Sequence, residues 1–252
     1  MILRGHFGNT WIHWRHSERA IATFMRDQWI KDTHRAMGQP SPHNNYAHLY
    51  LNGLYWGLYN PTERPSAPFL ASRFGGEPED YDAIKGGGAV DGDATAWNTA
   101  MNMANAGLST ASAYAAIQQY VDVINLADYM VLNHYGGNWD WDHHNWYAGR
   151  KREAGAQFRF FCWDSEHVLE SVNQNELSQN SNGNPSRIFT RLLSNPEFVV
   201  LLGDRIHRHL FNDGALTPTA AHGRWAGLRT QIETAVVAES ARWGDYRRDA
   251  HS

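Results

Sequence analysis

Apolar and polar positions alternate with two different periods along this chain, and the change of period divides it into elements. The opening ILRGHF reads as a strand from its first residues. Apolar side chains then recur at Ile21, Phe24, Met25 and Trp29, one face of a helix. Ser17 can cap that helix, and Gly38 with Pro40 can stop it, so a helix is expected over residues 17–37. In AHLYLNGLYWGLYN two apolar runs flank Asn52-Gly53, a pair that tolerates the positive φ of a type I′ turn. A hairpin with strands over residues 46–51 and 54–59 follows.

Pro61, Pro65 and Pro68 end that sheet, and residues 62–68 read as a connector. Residues 69–95 are rich in Gly and Asp and predict a mobile loop; GGGAVDGD lacks the spacing of a phosphate-binding loop. Helical spacing returns over 97–106, 113–120 and 124–135, the last closed by Gly136-Gly137. HNWYAGR and QFRFFCW alternate as two strands about a turn at 151–155. Residues 170–185 form a polar loop, and the remainder is helical, with Asn195-Pro196 and Thr217-Pro218 each pairing a cap with Pro at the first helical position. Neither an internal repeat nor a convincing linker divides residues 1–252, so a single domain is expected.

At 252 residues and 42% hydrophobic, the chain is long enough to bury a substantial core. Its formal charge of -4 and lack of a basic run argue against a nucleic-acid partner. Cys162 is the sole cysteine, which rules out a disulfide framework and a cysteine-based zinc site. No apolar run is long enough for a membrane span, and no secretory leader is legible. The abrupt start on a strand predicts that the chain is part of a longer protein.

Candidate chemistry concentrates between Gly136 and Glu166, where Asp140, Asp142, Asn145, Asp164 and Glu166 place five oxygen-bearing side chains around a hairpin. Hard cations take such oxygen ligands. An Asp, an Asn five residues later and a second Asp after a hairpin is also the order used by protein kinases for a proton-accepting Asp and two metal ligands. On spacing alone, turn caps at Asp140 and Asn145 and an amide-bonded Asp164 fit the pattern equally well. His143 and His144 could ligate a transition metal in a hydrolase. On an extended segment, however, neighbouring side chains face opposite ways, so both are expected to be structural histidines bonded to nearby carbonyls. Trp139, Trp141, Trp146 and Trp163 are expected in the core.

Five stretches carry a resemblance: LYLNGLYWGLYNPTERP at 49–65, GGNWDWDHHNWY at 136–147, FFCWDSE at 160–166, NPEFVVLLGDRIHRHLFNDGAL at 195–216 and ESARWGD at 239–245. Together they resemble the CotH kinase family, named for spore coat protein H. The resemblance implies an α+β, protein-kinase-like fold of CotH type. Residues 1–64 would be what remains of a small lobe, with a mostly helical large lobe over 65–252. It implies an atypical kinase moving the γ-phosphoryl of ATP to protein Ser/Thr hydroxyls with Mg²⁺. Carried over residue by residue, Asp140 is the catalytic Asp, and Asn145 and Asp164 are metal ligands. Glu166 joins them because the family often carries an acid two positions after its WD. Glu63 falls near the hinge and, with Lys85, is a nucleotide-binding candidate. The nucleotide-gripping Lys of an earlier strand has no evident match; Arg4 and Lys85 are loose candidates, and no GxGxxG loop is present. That gap favours an alternative, a kinase-like surface or spore-coat binding module without transfer activity. The family's associations imply a cell- or spore-surface or extracellular location and a coat or surface protein as partner.

Overall fold

The computed structural model describes residues 1–6 and 9–244, so Asp245, the last residue of the ESARWGD stretch, lies outside the described residues. The chain runs β1 (Ile2–Arg4), α1 (His16–Ala20), α2 (Arg26–Ala36), β2 (Ala47–Leu51), β3 (Leu54–Thr62) and α3 (Ala67–Phe74). It continues through β4 (Tyr81–Lys85), β5 (Gly88–Asp91), α4 (Thr95–Ala106), α5 (Ala111–Ile117), α6 (Val123–Tyr135), β6 (Trp146–Lys151) and β7 (Arg159–Cys162). It closes with α7 (Pro185–Leu192), α8 (Pro196–Leu210), α9 (Pro218–Ile232) and α10 (Ala235–Trp243). Helix and sheet are mixed, in agreement with an α+β class.

Two antiparallel sheets form among the described residues. The first has the order β1-β3-β2, and its hairpin turns at Asn52 (φ 50°) and Gly53 (φ 81°), the paired positive φ expected of type I′. The second has the order β5-β4-β6-β7. Its two faces divide the apolar side chains by the period of two: Ile84, Trp146, Ala148 and Phe160 join the main core, while Tyr81, Ala83, Tyr147 and Phe161 join a smaller one with Leu70 of α3. α6 is buried along most of its length and carries Tyr129, which meets Trp141 and Phe160 edge-on or tilted at centroid distances of 5.5 and 5.8 Å. Among the described residues no helix is long and apolar enough to cross a membrane.

Three expectations are corrected. The helix over 17–37 is two helices broken between Ala20 and Arg26, because Phe24 adopts φ 62°. Its ring is buried against Trp11 and His6, its carbonyl accepts from the Tyr46 hydroxyl (3.0 Å), and the neighbouring Thr23 amide donates to Asn9 Oδ1 (2.6 Å). Tertiary contacts override helix propensity here. The expected loop over 69–95 contains most of α3 and all of β4 and β5; Gly86 (φ 55°) and Gly87 (φ 81°) make a hairpin turn. Trp139 is 40% exposed, unlike the buried Trp141, Trp146 and Trp163.

Asn195 caps α8, its Oδ1 accepting from the amides of Glu197 (3.0 Å) and Phe198 (3.3 Å), while its Nδ2 donates to the carbonyls of Leu108 (3.2 Å) and Thr110 (3.3 Å). Asn195→Ala therefore removes a cap and strands two carbonyls. We expect a loss of about 2–3 kcal/mol in urea unfolding, with Asn195→Asp intermediate. A loss below about 0.5 kcal/mol would contradict this bonding.

Candidate functional site

After α6 the chain makes a helical turn, with the amides of His144 (3.3 Å) and Asn145 (2.8 Å) both donating to the Trp141 carbonyl. Trp141 is fully buried beneath it. Asp142 pins the turn from behind: its carboxylate accepts from Ser186 Oγ (2.6 Å) and the Ser186 amide (3.3 Å), and its carbonyl from Trp146 Nε1 (2.9 Å). The turn thus holds Asp140 outward, 23% exposed. Asn145 Nδ2 donates to Asp140 Oδ2 (3.1 Å). Asn145 Oδ1 is buried and has no hydrogen-bond partner among the described residues.

Opposite this turn, β7 delivers Trp163 and Asp164, the latter at φ 55°, a conformation that Asp tolerates better than most residues. The next amide, of Ser165, donates to Asp27 Oδ1 of α2 (2.9 Å). Asp27 Oδ2 accepts from Lys31 Nζ (2.6 Å) and from Arg4 Nη1 of β1 (2.8 Å). Arg4 Nη2 reaches Asp164 in an ion pair and Glu166 Oε2 at 3.4 Å. One guanidinium is therefore shared by three carboxylates. Trp163 lies against both cations, 5.5 Å from Arg4 and 5.1 Å from Lys31.

The electrostatics follow from burial and charge. Burial alone would raise the Asp27 carboxyl, but Arg4, Lys31 and the Ser165 amide more than offset it and hold it well below the usual carboxylate range. Lys31 is lowered by burial, against the upward pull of Asp27. Burial pushes Glu166 up to about 7, Arg4 opposing the rise and Asp27 adding to it.

Asp140, Asn145, Asp164 and Glu166 line one cleft of about 340 Å³. His13, Trp14, Arg15 and Glu18, from the segment between β1 and α2, line the same cleft, with Trp139, His144 and His167. A larger hollow of about 500 Å³ beside α4 is open, and two of its charged residues face each other, Arg152 3.6 Å from Asp82. It lacks the convergent oxygens of the smaller cleft.

Glu63 and Lys85 do not line this cleft. Glu63 accepts from the His43 amide (2.8 Å) and Arg73 (2.5 Å), bracing the start of the connector. Lys85 Nζ lies 5.9 Å from the Tyr147 ring. Sequence reasoning missed Asp27, Lys31, His13, Glu18 and His167. The available signal was α2 itself: its sequence RDQWIKDTHRA is polar, yet Arg26 to Lys31, Thr33 and His34 are all buried. Asp27 and Lys31 sit at i,i+4 within it.

The donor set fits a divalent cation. Asn145 Oδ1 is an orphaned buried acceptor, which normally requires a partner, and carboxylate and amide oxygens are the ligands that Mg²⁺ takes. Asn145, Asp164 and Glu166 are the residues that would hold it.

Residues 16–252 match the family model described as CotH kinase protein. The matched stretch includes Asp27, Asp140, Asn145, Asp164 and Glu166; Arg4 lies before it. No curated protein matches the chain.

Glu166 makes stability depend on pH with a definite sign. Its folded value, about 7, lies above its ordinary 4.5, so the native state holds the proton more tightly. The stability it contributes is complete below about pH 4.5 and is lost as pH rises through about 7. The shift corresponds to roughly 3 kcal/mol. In metal-free buffer, Glu166→Gln should flatten the fall in unfolding free energy between these values relative to the native chain. Parallel pH profiles for the two proteins would contradict the assignment.

Proposed function

The chain belongs to the CotH kinase family, and from that premise we propose that it is an atypical protein kinase transferring the γ-phosphoryl of ATP to a protein Ser or Thr hydroxyl. The observation that carries this reading is the convergence of Asp140, Asn145, Asp164 and Glu166 on one cleft, with Arg4 ion-paired to two of them. Kinase chemistry needs those parts together: a carboxylate for the acceptor hydroxyl, oxygen ligands for the cation, and a fixed cation for the phosphates.

In this reading Asp140 is the proton acceptor. Asn145 Nδ2 holds its Oδ2 and leaves Oδ1 free of that bond to face an acceptor hydroxyl as general base. Asn145 Oδ1, Asp164 and Glu166 would hold Mg²⁺. When bound, ATP and Mg²⁺ supply the phosphoryl group and neutralise charge on the departing phosphates. Arg4 is the phosphate-facing cation. Its Nη1 is fixed to Asp27 while its Nη2 is shared between Asp164 and Glu166, so one end stays anchored as the other exchanges partners.

The pairing of Arg4 with Asp27 has the form of the strand-Lys to helix-Glu ion pair on which protein kinases depend. A binding module without transfer activity was favoured by the missing lysine; a cation in that role, on β1 and paired to α2, weighs against it. The substrate we propose is a protein hydroxyl, with a coat or surface protein as the expected acceptor.

Transfer from [γ-³²P]ATP tests the assignment of roles. Asp140→Asn should lower transfer at least about 100-fold and keep Mg²⁺-dependent thermal stabilisation by ATP, because the base acts in the transition state. Asp164→Ala should lose both. Full transfer by Asp164→Ala would sink the mechanism.

Arg4→Ala should reduce stabilisation by ATP more than Arg4→Lys does, since lysine keeps the charge without the fork. Equal stabilisation of the native chain and Arg4→Ala would remove Arg4 from the nucleotide site.

A further inference from the structure

At the rim of the cleft the helical turn brings together side chains that an extended segment would separate. His143 and His144 follow Asp140 by three and four positions, and on a helical turn these positions share a face. His143 Nε2 lies 3.5 Å from Asp140 Oδ1, and His144 Nε2 lies 4.0 Å from Asp140 Oδ2. The imidazoles meet edge to face with centroids 4.0 Å apart. One ligand atom from each of the three residues lies within 4.8 Å of the others. The expectation that the two histidines face opposite ways and bond carbonyls is therefore corrected. Neither imidazole makes a hydrogen bond among the described residues, and both side chains are half exposed.

We propose that Asp140, His143 and His144 form a Zn²⁺ site at the mouth of the cleft, and that Zn²⁺ bound there blocks the carboxylate of Asp140. With Zn–N and Zn–O bonds near 2.1 Å, ligand atoms of a tetrahedral site stand about 3.4 Å apart. The gaps of 3.5 and 4.0 Å are close to that value and too long for good hydrogen bonds. Small rotations of two exposed rings complete the set. Imidazole with carboxylate selects Zn²⁺ over Mg²⁺, which prefers oxygen ligands and keeps its waters. The fourth position is left to water on the cleft side. Asp164 and Glu166 line the same cleft, and the charge of Lys85 is felt at His144.

A second trio, Glu18, His167 and Glu170, has comparable spacing but is already satisfied. His167 Nδ1 is 2.8 Å from Glu170 Oε1, Trp139 Nε1 donates to Glu170 Oε2 (2.9 Å), and both acids act on the charge of Arg26. Binding at Asp140 does not depend on the proposed kinase reading; its effect on transfer does.

The test uses the tag-free, metal-stripped chain titrated with Co²⁺, whose visible absorption reports tetrahedral imidazole and carboxylate ligation, followed by displacement with Zn²⁺. One equivalent should bind. His143→Ala and His144→Ala should each weaken binding about tenfold or more, and Glu18→Gln should leave it unchanged. Absence of the tetrahedral spectrum, unchanged binding in both histidine variants, or loss in Glu18→Gln instead would overturn the site. In the transfer assay with Mg²⁺ in excess, Zn²⁺ should inhibit, and the half-inhibiting concentration should rise about tenfold or more in His143→Ala. Equal inhibition of the native chain and His143→Ala would overturn the blocking role. No transfer by the stripped chain would defeat the kinase reading, while the cobalt titration still decides the metal site.

Discussion

A buried carboxylate, Asp27, is the interaction on which the cleft depends. It joins three segments far apart in sequence: β1 through Arg4, its own helix through Lys31, and the end of β7 through the Ser165 amide. Taking these charges out of water is costly, and the cost is offset only because each acceptor oxygen of Asp27 is engaged. Losing Asp27 would leave the buried Lys31 ammonium without its carboxylate, so the group depends on this one side chain. The same bonds fix Asp164, one residue before Ser165, and place Arg4 against it. The atoms that hold the fold together therefore also position the residues proposed for the chemistry.

That sharing explains why α2 looks wrong for a core helix. Its residues are polar, yet it is buried from Arg26 to Lys31. Polar burial of this extent conflicts with ordinary core design and marks places where function sets the sequence. The helix continues a break at Phe24, where a bulky residue is held at positive φ by its aromatic neighbours and the Tyr46 hydroxyl. Behind Asp140, the Asp142 bonds to Ser186 do the corresponding job for the turn that carries it. Each side of the cleft thus has one acidic residue in a structural role close to another that lines the cleft.

The hairpin at Asn52-Gly53, the strands after Asn145 and most of the helices beyond Thr95 were legible because local signals decide them: a turn pair, a period, a cap. Asp140, Asn145, Asp164 and Glu166 were legible by spacing and resemblance, and they do meet in one cleft. Strands β4 and β5 were not, since Gly and Asp hid a buried pairing that only β6 makes favourable. The Asp27–Lys31 pair was legible only as an i,i+4 spacing, because the partners that bury it, Arg4 on β1 and the Ser165 amide after β7, lie on other elements. The face shared by Asp140, His143 and His144 was misread because the segment was taken as extended, whereas the buried Trp141 anchors a helical turn.

The central claim is that Asn145, with its unsatisfied oxygen, is part of a site for a cation carried with ATP. Titration calorimetry of ATP into the chain, with and without Mg²⁺, tests it most directly when repeated on Asn145→Leu, which keeps bulk and removes the oxygen. The account predicts binding that requires Mg²⁺ and weakens about tenfold or more in Asn145→Leu. Mg²⁺-independent binding, or equal affinity in the two proteins, would contradict it.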